Sequence, residues 1–157
     1  MSDTRVIGGN DHRFAAYSAP RPVMAAGYAT WGSRVAAAMI DSFLLFLALV
    51  LGIAVAAGLH SPALVVAAFL GIPAYYTLGH GSESGQTVGK RAMSIAVRGA
   101  DDLGRIGYGR ALWRFTIMWL LGVIPLVCIL NLLAPLWSSR NQAWHDNGAA
   151  TVVVATA

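Results

Sequence analysis

Trp31-GSRVAAAMIDSFLLFLALVLGIAVAA-Gly58 is a run of membrane-grade apolar sequence that carries two charges in its first half, Arg34 and Asp41. At about 1.5 Å of rise per residue, a helix over this run is long enough to cross a ~30 Å hydrocarbon core. A carboxylate inside such a run costs about 2.5–3.5 kcal/mol on insertion scales, so its presence demands a partner or a use. The i, i+7 spacing turns a helix by about 700°, which puts Arg34 and Asp41 on one face about 10 Å apart. That face is expected to look into a bundle or a polar cavity, away from lipid.

The rest of the chain agrees with the class this run implies. Of 157 residues, 57% are hydrophobic and 11% charged, against about 25% charged in ordinary globular domains. The mean hydropathy is +0.60. Two further apolar stretches follow, from Pro62 to Gly79 and from Ala111 to Trp137. Residues 1–30 are polar and interrupted by proline and glycine, so no cleavable signal is expected and the first span should remain as an anchor. Arg5, Arg13, Arg21 and Arg34 precede or open the first span, and Lys90, Arg91, Arg98, Arg105 and Arg110 lie between the second and third. The Leu59-His60-Ser61 connection has no Lys or Arg. Both basic segments are therefore expected in the cytoplasm. The pI of 9.7 reflects that asymmetry and needs no nucleic-acid partner.

The third stretch has two solutions, because Pro125 falls in its middle and Pro135 near its end. A single kinked crossing is the simpler and leaves the tail outside. A break at Pro125 gives halves of about 12–14 residues, about 18–21 Å each, too short to span, and returns the tail to the cytoplasm as a re-entrant hairpin. Between the second and third stretches, Ser94–Arg98 and Arg105–Tyr108 flank a Gly/Asp turn and predict a β-hairpin. Thr151–Val154 is β-branched and would add a third strand only if the tail returns inside. The expected fold is an all-α membrane protein. It would be a three-span helical bundle with spans at about 31–58, 62–79 and 111–137, the third crossing once or broken at Pro125, plus a small cytoplasmic β-hairpin. Residues 1–30 form a cytoplasmic segment and 31–157 the membrane domain.

Familiar catalytic patterns fail on their spacing. Gly85-QTVGK-Arg91 lacks the glycine of a phosphate loop at Ser84 and its hydroxyl after Lys90. Gly104-RIGYG follows no βαβ strand. His12, His60, His80 and His145 show no metal-ligand spacing, and no serine or cysteine sits in a nucleophile motif. Cys128, the only cysteine, reads as a small hydrophobe. No enzyme activity, cofactor or metal is implied. Arg110 and Arg114 share a helical face; they either snorkel to headgroups or, in the case of Arg114, reach Asp41 across the bundle. Asp41 itself either fixes helix register by pairing with Arg34 or Arg114, or handles protons and cations.

Jointly, three motifs carry a family resemblance. They are Tyr28-ATWGSRVAAAMID, Gly85-QTVGK-Arg91 with its Gly85, Gln86, Thr87, Gly89, Lys90 and Arg91, and His145-Asp146-NGAATVVV. In this order the chain resembles the RDD family of small bacterial membrane proteins, over about residues 28–155. The resemblance identifies Arg34 as the family arginine and Asp41 and Asp146 as its two aspartates. It implies an integral protein of the bacterial cytoplasmic membrane, with transport, including cation/proton antiport, attributed to some members. Two functions are therefore expected. The favoured one is a non-enzymatic accessory or interaction subunit partnered by other membrane subunits or by itself. The alternative is a cation/proton antiporter acting as a homo-oligomer, with Asp41 binding ion and proton in turn.

Overall fold

The computed structural model describes residues 27–156; all but the last few residues of the 1–30 segment lie outside the described residues. The elements run α1 (Trp31–Gly58), α2 (Pro62–Gly81), α3 (Val88–Ala92), β1 (Ile95–Gly99), α4 (Gly107–Gly122), α5 (Pro125–Leu133), a 3-10 turn (Ala134–Leu136), α6 (Trp144–Gly148) and β2 (Thr151–Ala155). The hydroxyl of Thr30 caps α1 by accepting the Ser33 N–H at 3.2 Å, satisfying one of the donors that a helix start leaves free. Pro62 opens α2, where its missing N–H costs nothing. These two helices are long and apolar enough to cross a membrane.

Their packing is the reverse of a soluble helix pair. On α1 the buried residues are Ala37, Asp41 and Ala56, while Phe43, Phe46 and Leu51 are more than half exposed. Small residues bring the backbones together: a methyl group added to Gly52 would stand 3.0 Å from the Ala68 Cβ. Close approach over small side chains, with large apolar ones turned outward, is the arrangement that suits lipid.

The third apolar stretch does not form one helix. α4 has 16 residues and α5 has 9, about 24 and 14 Å, each short of a ~30 Å core. The proline ring of Pro125 disfavours helical backbone at the residue before it, and Ile124 is accordingly extended, at φ −102° and ψ 113°. The chain then turns back, and β2 pairs antiparallel with β1, Val97 opposite Val153. A third spanning helix over 111–137 is thus not confirmed: the stretch is two short helices, and the sheet brings the end of the chain back beside β1.

The predicted hairpin is corrected as well. Residues 105–108 form no strand, and Thr151–Ala155 takes the place beside β1. Asp102 explains the exchange: its carboxylate accepts the Gly104 N–H at 3.0 Å, and Gly99 N–H donates to Gly104 O at 3.0 Å, closing a tight turn before any second strand can extend. Arg105 is turned aside to donate from Nε to Gly81 O at 2.7 Å. Val152, Val153 and Val154 are buried, so β2 offers an apolar surface that Arg105–Tyr108 does not. Both edges of the ribbon are covered. Val97 N–H donates to Gly85 O, Ala29 N–H to Val153 O, each at 2.9 Å, which blunts both edges of this ribbon against further pairing. The small apolar core lies here, around Ile95, Val97, Ile106, Ala111 and Val153.

Cysteines at Val97 and Val153, in a Cys128→Ser background, are expected to form a disulfide in the folded membrane-embedded protein. Absence of the cross-link under oxidising conditions would remove the pairing that returns the tail.

Candidate functional site

The loop between α2 and α3 wraps back on α1 and meets Asp41. Tyr75 Oη donates to Asp41 Oδ1 at 2.5 Å, Thr87 Oγ1 to Oδ2 at 2.6 Å, and Gly89 N–H to Oδ1 at 2.7 Å. Thr87 also caps α3, so one side chain starts that helix and fastens it to α1. Gly89 is the position where a side chain cannot be accommodated: its Cβ would overlap Ala37 O and stand 2.9 Å from the Asp41 carboxyl. Asp41 is fully buried and, among the described residues, pairs with no arginine, contrary to the expected partnership with Arg34 or Arg114. Hydroxyl and amide donors from the 85–91 motif satisfy it instead.

Both arginines go to the second aspartate. Arg34 and Arg114 each form an ion pair with Asp146, on Oδ2 and Oδ1 respectively. Arg34 also donates to Asn141 O at 2.6 Å, and Ala143 N–H donates to Asp146 at 3.0 Å. One carboxylate thus ties α1, α4 and the start of α6 together. Burial alone would raise the Asp146 pKa, but Arg114 and Arg34 override it and hold the group well below the usual carboxylate range.

Two histidines complete the cluster, and geometry fixes their tautomers. Asn131 Oδ1 accepts the His145 backbone N–H at 3.3 Å, which sets the amide orientation. His145 Nδ1, 3.1 Å from the same oxygen, is therefore a donor, and its Nε2 accepts from Arg114 at 3.1 Å. Burial pushes His145 down to about 3, against the opposing pull of Asp146 and with Arg114 and Arg34 adding to it. The imidazole is neutral at pH 7, so its 3.4 Å approach to Asp146 is not an ion pair. Arg114 Nη1 likewise donates to His80 Nδ1 at 3.2 Å, placing the proton of a neutral ring on Nε2, which is buried without a partner.

The remaining motif residues divide between scaffold and cavity. Gly85, at φ +64°, joins the edge of β1, and Gln86 Nε2 donates to Ile95 O at 3.0 Å. Arg91 is exposed. Arg110, read as a snorkelling residue, bonds the Ala149 and Ala150 carbonyls. Lys90 lines a cavity of about 240 Å³ together with Arg34, Asp41, His80, Arg114 and Asn131, walled by apolar residues of α1, α4 and α5. Burial, reinforced by Arg114 and Arg34, pushes Lys90 down to about 7. Cys128 also lines this cavity and is exposed instead of buried in packing. Tyr75, His80 and Asn131 were not singled out as site residues from the sequence; Asn131, the one polar side chain in Pro125–Leu133, was the available signal.

A pH dependence follows from His145. The unfolded chain, with an ordinary imidazole near 6.5, binds a proton between about pH 6.5 and 3 that the folded state does not, so stability falls across that window on acidification. Asp146 adds to the loss only below its ordinary value of 3.8. Thermal unfolding midpoints should drop from pH 6.5 towards 3, and His145→Gln should flatten the slope; an unchanged slope in that variant would assign the titration elsewhere.

The RDD family model matches residues 28–149, and neither a curated protein nor a solved structure matches the chain. The match begins just before α1, ends just before β2, and takes in Arg34, Asp41, the 85–91 motif and Asp146. The chain belongs to the RDD family of membrane proteins.

Proposed function

We propose that this RDD protein is a non-enzymatic subunit of the bacterial cytoplasmic membrane that works by association with other membrane subunits or with itself. Its N-terminus and residues 80–110 face the cytoplasm, as the nine Lys and Arg in and beside them favour. The observation that supports this reading best is that both buried carboxylates are already engaged. Asp41 accepts from three donors of its own chain, and Asp146 from two arginines and an amide. A cation carrier needs acidic oxygens that an ion can take and release. Here they hold helices in register, leaving broad apolar faces on α1 and α2 for lipid and partners.

Mass measurement after gentle detergent extraction tests the reading. Larger membrane subunits should co-purify, or the chain should self-associate without transport activity. A bare monomer that still supports function would overturn it. Cysteines at His60 and Ser84, labelled with an impermeant reagent in intact cells, test orientation; labelling at Ser84 but not His60 would reverse it. The second reading, a cation/proton antiporter acting as a homo-oligomer, is favoured by one observation, the cavity beside Asp41. It requires the Thr87 and Gly89 bonds to Asp41 to open during the cycle.

A further inference from the structure

We propose that the cavity between α1 and the α4–α5 pair is an anion site, which takes a phosphate group from an anionic lipid headgroup or from solution. This goes beyond the association role and holds whatever the partner subunits are.

Charge comes first. Arg34, Lys90 and Arg114 line the cavity with Asp41; with Asp146, the partner of both arginines behind it, two carboxylates offset three cations and leave one unmatched. The unmatched one is Lys90: among the described residues its ammonium makes no ion pair, although Asp41 lines the same cavity. Lys90 is partly buried, and an unpaired ammonium at an apolar-walled cavity is stabilised by an incoming anion.

The hydrogen-bonding inventory points the same way. His80 lines the cavity and is 2% exposed, and its Nε2–H is buried without an acceptor. The nitrogen groups left over at Lys90 and His80 are thus donors, while the Asp41 and Asp146 oxygens are occupied. A ligand that fits must bring acceptors and negative charge, as a phosphate does. A cation would meet three positive side chains and, among the described residues lining the cavity, no free carboxylate.

Size and position suit a headgroup. About 240 Å³ is just under the ~300–1,000 Å³ of pockets that enclose a drug-sized molecule. The α1 residues of the lining run from Trp31 to Asp41, the first ~15 Å of the helix, which is the depth of the interfacial and upper acyl region. Trp31, Met118 and Leu132 give the cavity apolar walls beside which a glycerol or acyl segment can lie.

The chain offers a site-specific probe, because Lys90 is its only lysine. Full-length Arg140→Lys protein would be placed in phosphatidylcholine nanodiscs, alone or with added phosphatidylglycerol, or with millimolar inorganic phosphate in the buffer. An uncharged acylating reagent then labels Lys90 and the exposed reference amine at position 140, and both are read by peptide mass spectrometry. Anion at ten times its Kd leaves about a tenth of sites free, so Lys90 labelling should fall about tenfold relative to the reference. Protection by phosphatidylglycerol alone assigns a lipid headgroup, and protection by inorganic phosphate in phosphatidylcholine discs assigns a soluble anion. Equal labelling in all three conditions overturns the site. His80→Phe, which removes the free N–H and keeps Lys90, should weaken protection; unchanged protection would remove His80 from the site. Lys90→Gln should raise thermal stability in phosphatidylcholine and lose any shift on adding anion; a retained shift would also count against the proposal.

Discussion

Asp146→Ala is expected to cost about 3–5 kcal/mol, the range for removing one partner from a buried ion pair. Two guanidiniums face this carboxylate, and the Arg114 side chain is 3% exposed, so the cost arises from buried positive charge left without compensation. Arg34 is somewhat more open, at 11%, and has a second acceptor in Asn141 O. Arg34→Ala should therefore cost clearly less. The loss should show as a lower unfolding midpoint in detergent and as failure of the Val97–Val153 cross-link, because α6 and β2 are placed through Asp146. An Asp146→Ala protein with normal stability and intact cross-linking would mean that the two arginines find other acceptors.

Asp41→Ala should be the next most damaging change. It orphans the Thr87 hydroxyl and the Gly89 N–H, both buried, and each buried unsatisfied donor costs about 1–3 kcal/mol. About 2–6 kcal/mol is the expected total, with Tyr75 excluded because its partly buried hydroxyl can turn to water. Gly89→Ala should act on the same joint from the other side, forcing α3 off Ala37 at about 1–3 kcal/mol, the usual cost of overpacking. Asp41→Asn separates fold from function, since it keeps the shape and an acceptor while removing the charge. Unfolding measurements on the three variants check the ranking; an Asp41→Ala protein as stable as wild type would detach the 85–91 motif from α1.

The sequence was legible where one physical rule dominated. Hydropathy set the bounds of α1, and Pro62 and the Leu59-His60-Ser61 connection set the turn into α2. The importance of Arg34, Asp41, Arg114 and Asp146 followed from charge in an apolar or motif setting, yet their pairing did not. Spacing along α1 puts Arg34 near Asp41, but pairing depends on what folds back against each, and the 85–91 loop reaches Asp41 with donors whose role no pattern announces. The sheet was missed for a related reason: proximity in sequence favoured a 94–108 hairpin, whereas the turn at Asp102 and the apolar run Val152–Val154 favoured a long-range pair. That pair also brings the chain beyond Pro125 back beside β1, a return that composition left open against a kink.

Proton flux in vesicles tests most directly whether the two aspartates are structural. Purified wild-type protein is reconstituted into proteoliposomes with an imposed pH gradient, and sodium or potassium is added outside. The expected result is no cation-dependent proton movement above empty vesicles, with Asp41→Asn indistinguishable from wild type in flux. Cation-driven proton movement that Asp41→Asn abolishes, in a variant that unfolds at the same temperature and still forms the Val97–Val153 cross-link, would contradict it and make Asp41 an ion-handling group.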